Sequence, residues 1–213
     1  DDLSLPVEYR VHPIRTSEGV AGAVINFRDI TERKRMQDEV WRRAHYDALT
    51  GLPNRVLFRE RLEQQLLQTR RREEALAVCF VDLDGFKKVN DTLGHDAGDM
   101  VLQQAGRRML ECLRASDTVA RLGGDEFALI LPGTGSLVEL KLVLERILAS
   151  LARPFDWQGH EACIAASIGV ALSRSETTGI DELLRWADLA MYRAKRDGGN
   201  AWRLHDAAGE ASD

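Results

Sequence analysis

Four acidic residues fall at positions where they could together hold a metal ion. Asp82 and Asp84 end a predicted buried strand, and Asp125 and Glu126 lie at the tip of a predicted hairpin. Acids at strand ends can converge at one edge of a sheet, where their like charges repel one another unless a cation is bound. Mg²⁺ prefers oxygen ligands and shares its coordination with substrate phosphates, so the pattern indicates a magnesium site. The acids alone leave open a second interpretation, in which they are solvated turn residues.

A short loop follows the first pair of acids, with the sequence Asp84-Gly85-Phe86-Lys87. Successive backbone N–H groups in such a loop can form an anion-binding nest, and Lys87 adds a positive charge. The loop therefore indicates a phosphate site beside the metal. Taken by itself, a lysine after a strand is more typical of an ordinary surface charge.

The elements that must position these residues alternate between helices and strands. Asn54 and Ser136 are predicted N-caps, and Gly123-Gly124 indicates a hairpin because both glycines tolerate positive φ. The predicted order is a helix after 54, a strand at 77–81, a helix around 101–112, strands at 118–121 and 126–131, a helix at 136–151, a strand at 163–172 and a helix at 180–195. This order predicts an α/β (α+β) sandwich with a mainly antiparallel central sheet flanked by helices.

Composition and charge limit the kinds of function that the chain can have. The chain has 213 residues and a formal net charge of -5, so it has no global attraction to nucleic acid or to an anionic membrane. The longest apolar run, 75–81, is too short to cross a bilayer, and no signal peptide is visible. Three widely spaced cysteines, Cys79, Cys112 and Cys163, indicate buried reduced thiols. We expect a cytoplasmic location and no membrane contact from this segment, although the chain begins at Asp1 and membrane spans could lie upstream.

The motifs together resemble the GGDEF family of diguanylate cyclases. The signature stands at 121–127 as RLGGDEF, and four more segments agree in order and spacing: DALTGLPNR at 47–55, DLDGFKKVNDTLGHDAGD at 82–99, SIGVA at 167–171 and ADLAMYRAK at 187–195. The resemblance implies that residues 47–205 form a domain with a fold like that of nucleotide cyclases and the polymerase palm. It also implies that this domain condenses two GTP molecules into cyclic di-GMP and releases two pyrophosphates.

The resemblance assigns a metal and catalytic group to the strand ends. Asp82, the backbone carbonyl of Leu83 and Asp125 would hold Mg²⁺ or Mn²⁺, with Glu126 assisting. Asp125 would also accept the proton of the attacking 3′-hydroxyl, and Lys87 would stabilise negative charge in the transition state.

The resemblance also assigns the substrate contacts. Phe86 and Lys87 would line the triphosphate, Asn90 and Asp99 would read the guanine, and Lys195 would reach the phosphates from the last helix. One domain would bind one GTP, so catalysis implies a homodimer whose two half-sites face each other.

One position departs from the family's pattern. The family usually has an arginine after the glycine that follows Lys195, and Gly199 stands there in this chain. A phosphate contact is then expected to be lost unless Arg193 or Arg196 replaces it. Reduced activity is one expected consequence.

A second site is implied by Arg114 and Asp117, which match the family's inhibitory product-binding motif of an arginine and an aspartate three residues apart. Arginine can grip the O6/N7 edge of guanine with two hydrogen bonds. Arg146 is expected to add a distal contact to cyclic di-GMP. Without the family context, an ordinary helix-end arginine followed by a turn aspartate would be the simpler interpretation.

The ends of the chain suggest further segments. Residues 1–30 contain two predicted strands, and the run NFRDITERK at 26–34 resembles the end of a PAS sensor domain, whose beginning we expect to be missing. Residues 31–46 predict a charged linker helix, and 206–213 a disordered tail.

Three functions remain open at this stage. The first is an active cyclase. The second is a weakly active or inactive regulatory module that binds GTP or cyclic di-GMP within a longer PAS-GGDEF-EAL protein, where EAL denotes a phosphodiesterase domain. The third, a nucleic-acid polymerase, is disfavoured by the net acidity and by the lack of a basic groove pattern.

Overall fold

The computed structural model describes residues 5–17, 19–134, 136–173 and 179–205, and the side chains of 16, 20 and 21 are not described. The predicted disordered tail at 206–213 lies outside the described residues. The chain divides into two compact units, Asp1–Ala44 and His45–Asp213.

The first unit is a hairpin followed by a helix. Strands β1 (Val7–Thr16) and β2 (Gly19–Asp29) pair antiparallel, and α1 spans Thr31–His45. None of the residues of α1 is buried, which fits its charged sequence. The interpretation of this hairpin as the end of a PAS domain stays a prediction.

The second unit is built on a five-stranded sheet in the order β4-β5-β3-β8-β9. Its strands are β3 (Leu76–Asp84), β4 (Thr118–Gly123), β5 (Glu126–Pro132), β8 (Ala165–Ser173) and β9 (Ala201–Leu204), with a separate small hairpin of β6 (Phe155–Trp157) and β7 (His160–Ala162). All neighbours in the five-stranded sheet are antiparallel except β8 and β9, which are parallel. The predicted mainly antiparallel sheet is confirmed.

Helices cover both faces of this sheet. They are α2 (Arg55–Arg72), α3 (Phe86–Leu93), α4 (His95–Glu111), α5 (Leu137–Leu151) and α6 (Ile180–Arg196). On the central strand β3, Ala77, Cys79 and Val81 belong to the core formed with α3, α4 and α5, whereas Leu76 and Val78 belong to the core formed with α2 and α6. The alternation explains why this strand reads as a continuous apolar run in the sequence.

The predicted helix caps are confirmed. The side chain of Asn54 accepts hydrogen bonds from the backbone N–H groups of Val56 and Leu57, and that of Ser136 accepts one from Glu139.

Helix α3, the β6–β7 hairpin and β9 were not predicted. The short strands show no periodic pattern, whereas Phe86, Val89 and Leu93 of α3 do recur at helical spacing, a signal that could have revealed this helix.

One prediction about the cysteines is wrong. Cys79 and Cys112 are buried free thiols, but Cys163 is exposed. The reason is that β8 begins at Ala165, so Cys163 precedes the buried strand rather than opening it. Burial raises the pKa of the Cys79 thiol, which keeps it protonated.

Candidate active site

The acidic residues singled out in the sequence come together where β3 ends and β5 begins. Asp82 on β3 is the cross-strand partner of Glu126 on β5, and the N–H of Leu83 donates to the carbonyl of Asp125 at 3.3 Å. The antiparallel register therefore brings Asp82, Leu83, Asp125 and Glu126 to one edge of the sheet. Within the described ranges, no group of three or more His, Cys, Asp or Glu side chains is placed to hold a metal ion by itself.

Asp82 is the most enclosed of these acids and pairs with a lysine from α6. The Nζ of Lys195 lies 2.7 Å from its Oδ2, and the side chain of Asp82 is 10% exposed. Burial raises the pKa of Asp82, and the negative charges of Asp125 and Asp84 raise it further, against the opposing effect of Lys195. Lys195 and Arg55, whose Nη2 lies 3.7 Å from the Oε2 of Glu126, therefore compensate the negative charge at this edge only in part, and an additional cation would be stabilised there.

Asp84 has a different role from the one its position in the acidic cluster suggests. Both of its carboxylate oxygens accept from the hydroxyl of Ser167, at 3.0 and 2.8 Å, and its Oδ2 also accepts from the backbone N–H of Asn200 at 3.1 Å. Ser167 is fully buried on β8, and Asn200 immediately precedes β9. Asp84 thus ties the end of β3 to β8 and to the turn between α6 and β9.

The turn held by Asp84 contains Gly199, where the family usually has an arginine. Gly199 has a φ of +71°, and a Cβ added to it would lie 2.7 Å from the Oδ2 of Asp84. A side chain at this position would be strained in its backbone and would press on a carboxylate that already has fixed partners. The glycine therefore fits this turn.

Arg121 fixes the tip of the β4–β5 hairpin. Its Nε and Nη2 donate to the carbonyl of Gly124 at 3.0 and 2.8 Å, while its Nη1 donates to both carboxylate oxygens of Asp47 at 3.0 and 3.1 Å. Burial of Asp47 acts to raise its pKa, but hydrogen bonds from Thr50 and Arg121 outweigh this and lower it. The sequence reasoning missed this role, although Asp47 and Arg121 each open one of the quoted motifs.

The predicted phosphate loop becomes the start of α3. Gly85 precedes the helix with a φ of +85° and supplies no side-chain cap, so the first N–H groups of α3 have no side-chain acceptor there. The side chain of Lys87 is exposed, whereas that of Phe86 packs in the core and is 9% exposed. Phe86 can therefore offer its backbone N–H to a phosphate, but the bulk of its ring is committed to packing.

The two residues predicted to read guanine lie on adjacent helices. Asn90 is half-buried on α3, and Asp99 is exposed in the first turns of α4. Gly98, which precedes Asp99 in the chain, lies against Asn90, and its missing Cβ leaves room for the Asn90 side chain. Within the described residues, the side chains of Asn90 and Asp99 form no hydrogen bond or ion pair with one another or with other residues, so both have polar atoms available for a ligand.

The predicted inhibitory residues divide between two depressions. Arg114 and Asp117 line the same depression, and a carboxylate oxygen of Asp117 accepts from the backbone N–H of Arg114 at 2.9 Å. Arg146 lines a different depression, and its guanidinium donates to the carbonyl of Cys112. The structure thus places Arg114 and Asp117 together and gives Arg146 a local partner at the end of α4.

Comparison with known sequences identifies the family. The family described as "Diguanylate cyclase, GGDEF domain" matches residues 44–201. The chain belongs to the GGDEF diguanylate cyclase family. The predicted membership is therefore confirmed, whereas no finding bears on a preceding PAS domain.

Several curated GGDEF relatives carry different activities in their names. The chain is 40% identical over 182 residues to the bifunctional diguanylate cyclase/cyclic di-GMP phosphodiesterase MucR of Pseudomonas aeruginosa, covering 85% of this chain and 26% of MucR. It is 42% identical over 174 residues to the diguanylate cyclase TpbB of the same species, covering 80% of this chain and 40% of TpbB. The chain thus spans less than half the length of these relatives.

Solved GGDEF structures have the same fold. The GGDEF domain of TpbB superposes with a TM-score of 0.71 at 42% identity, covering 74% of this chain and 98% of that domain. The coiled coil and GGDEF domain of DgcB from Caulobacter crescentus, solved in complex with cyclic di-GMP, gives a TM-score of 0.75 at 27% identity, covering 82% of this chain and 93% of that one. The predicted cyclase-like, palm-like architecture is confirmed.

Among the helices that the structure describes, none combines the length and apolar character needed to cross a membrane.

Proposed function

We propose that this GGDEF domain is a diguanylate cyclase that joins two GTP molecules into cyclic di-GMP. The observation that carries the proposal is the junction of Asp82, Asp125 and Glu126 at the ends of β3 and β5, with Lys195 of α6 against Asp82. The carboxylates at this point outnumber the positive side chains beside them, so they suit a metal ion. The N-terminus of α3 lies next in the chain and has N–H groups free of side-chain caps, so it suits the triphosphate that the metal accompanies.

The donor set fits a magnesium or manganese ion. Mg²⁺ in nucleotide enzymes is typically held by one or two carboxylates, with substrate phosphates and water completing its shell. Asp82, Asp125 and the carbonyl of Leu83 would supply the protein ligands, with Glu126 assisting. The raised pKa of Asp82, caused by burial and by the negative charges of Asp125 and Asp84, supports this assignment. The bound ion would neutralise charge on the phosphates as it develops.

The reaction needs two symmetric transfers. In each, the 3′-oxygen of one GTP forms a bond to the α-phosphorus of the other, and the bond from that phosphorus to pyrophosphate breaks. The carboxylate of Asp125 takes the proton of the attacking hydroxyl, while Lys87 and the N–H groups at the start of α3 stabilise the negative charge on the phosphates. Asn90 and Asp99 hold the guanine, with Asp99 accepting from its ring N–H and amino group.

A complete active site requires a second copy of the chain. One domain would hold one GTP, so the attacking hydroxyl must come from a nucleotide on a facing domain. A homodimer therefore follows from the stoichiometry of the product. Product bound at Arg114 and Asp117, with Arg146 as a distal contact, would inhibit by holding two domains in a non-productive arrangement.

A second candidate function is a weakly active or inactive module that binds GTP or cyclic di-GMP. Gly199 favours it, since the phosphate contact of the usual arginine is missing. Relatives named as cyclic di-GMP phosphodiesterases, such as PdeB of Shewanella oneidensis, which is 35% identical over 187 residues, also keep this possibility open.

Incubation with GTP and Mg²⁺, followed by chromatographic detection of cyclic di-GMP, tests the first function against the second. Wild type should form product from GTP and very little from ATP. An acceptor that the bound base covers but does not pair with loses its hydrogen bonds to water, which costs about 1–3 kcal/mol per group. Asp125→Asn, a nearly isosteric control, should bind GTP and form no product. GTP binding without turnover in wild type would favour the regulatory module.

A further inference from the structure

Gly98 allows helices α3 and α4 to approach closely at the residues proposed to read the base. It is buried in the first turn of α4, facing α3. A Cβ added to Gly98 would lie 1.9 Å from the Oδ1 of Asn90 and 2.9 Å from its Cγ. The ring of Phe86 would be 3.3 Å away through its Cζ. No carbon atom can approach an amide oxygen so closely, so an alanine here would force Asn90 to move.

The backbone of Asn90 is held in place, so its side-chain amide is the part that can respond to an added methyl group. Phe86, one turn earlier on the same helix, is anchored in the core. The carbonyl of Asn90 also accepts from the N–H of Gly94 at the junction of α3 and α4, at 3.0 Å. An added methyl group must therefore rotate the Asn90 amide out of position or spread the two helices apart. Either change alters the spacing between Asn90 and Asp99, the residue that follows Gly98.

We propose that Gly98 is a positioning residue that sets the Asn90 amide for recognition of guanine. The inference rests on the proposed function, since it takes Asn90 and Asp99 as the base-reading pair. It adds that the selectivity of the site for guanine depends on the absence of a side chain at 98. Glycine is a poor helix former, so its presence inside a helix calls for such a reason.

The experiment compares Gly98→Ala, Asn90→Ala and the double variant with wild type. The readouts are melting temperature and the dissociation constants of GTP and ATP with Mg²⁺, measured by calorimetry so that the result does not depend on turnover. Gly98→Ala should melt below wild type, although the same substitution in an unobstructed helix is stabilising. It should also reduce the preference for GTP over ATP by about tenfold, the scale of one misplaced polar contact.

The double variant separates a specific contact from general damage. Once Asn90 is alanine, the obstructing amide is gone and only the Phe86 ring remains, at 3.3 Å, so Gly98→Ala should lower the melting temperature much less and should no longer reduce the remaining preference. Gly106→Ala is the control on the same helix, because its added Cβ would meet the Cδ1 of Leu52 at 2.9 Å, a crowded contact that involves neither Asn90 nor Asp99. This control should keep the wild-type preference for GTP.

Two results would overturn the inference. One is a Gly98→Ala variant with wild-type melting temperature and wild-type GTP preference, and the other is an equal cost of Gly98→Ala in the presence and absence of Asn90. If the stability coupling holds but Asn90→Ala leaves the GTP preference intact, the base-reading role of Asn90 is wrong and the proposal fails at that step. Failure of the proposed cyclase activity would appear separately, as wild-type binding of GTP without cyclic di-GMP formation.

Discussion

Restoring the family's arginine at position 199 should weaken this protein rather than improve it. Gly199→Arg places a side chain at a φ of +71° and a Cβ at 2.7 Å from the Oδ2 of Asp84. The left-handed backbone costs about 1–2 kcal/mol for a residue with a Cβ. Displacing Asp84 from the hydroxyl of Ser167 or the N–H of Asn200 removes a charge-assisted hydrogen bond, which costs about 1.5–3 kcal/mol.

Adding the backbone strain to the lost hydrogen bond, we expect the free energy of unfolding to fall by about 3 kcal/mol, near the lower end of the summed range. For a chain of this length the loss corresponds to a fall of about 6–12 °C in melting temperature. The value of kcat/KM for GTP should not rise, because the displaced turn follows the helix that carries Lys195. Differential scanning calorimetry and initial-rate assays measure the two quantities.

Two control variants isolate the cause. Gly199→Ala has the same backbone strain and the same Cβ without a guanidinium, so it should lose nearly as much stability as Gly199→Arg. Gly133→Ala also introduces a Cβ at positive φ, +65°, but meets the Oε2 of Glu74 at an ordinary 3.5 Å and should lose only about 1–2 kcal/mol. A Gly199→Arg variant that melts at or above the wild-type temperature and has a higher kcat/KM would refute this account of the turn.

Other expectations follow from the same site. Asp82→Asn should abolish most turnover without lowering the melting temperature. Because burial raises the pKa of Asp82, wild type should lose stability relative to this variant as the pH rises through that pKa. Calorimetry at a series of pH values that shows the opposite trend would contradict the assignment. Arg114→Ala should weaken product inhibition while leaving the initial rate with GTP near that of wild type. The turn should survive the substitution, because Asp117 accepts a hydrogen bond from the backbone N–H of Arg114, which alanine keeps. Inhibition as strong as in wild type would exclude the product site. Specific activity should rise with enzyme concentration while monomer dominates, and a constant value from a species shown to be monomeric would rule out the paired half-sites.

Much of the fold could be predicted from the sequence because its elements carry strong local signals. The buried strand β3, the glycine hairpin and the caps at Asn54 and Ser136 each depend on neighbouring residues alone. A strand as short as β9 shows no such signal, since four residues cannot display a period.

The meeting of acidic residues from β3 and from the β4–β5 hairpin could be predicted from the sequence, but the contacts of each acid could not. Asp84 and Asp82 are two residues apart in one motif, yet Asp84 is engaged by Ser167 and Asn200 and Asp82 by Lys195, all from distant parts of the chain. Such pairings depend on strand order and register, which local patterns do not determine. The effect of Gly98 on Asn90 is likewise visible only once α3 and α4 are placed together.

The most direct test of the central claim is the stoichiometry of the reaction with GTP and Mg²⁺. Purified chain should release two pyrophosphates for each cyclic di-GMP formed, and Asp125→Asn should release none above background. Pyrophosphate without cyclic di-GMP, or GTP that stays bound and unconverted at enzyme concentrations where dimers dominate, would contradict the assignment of this domain as a diguanylate cyclase.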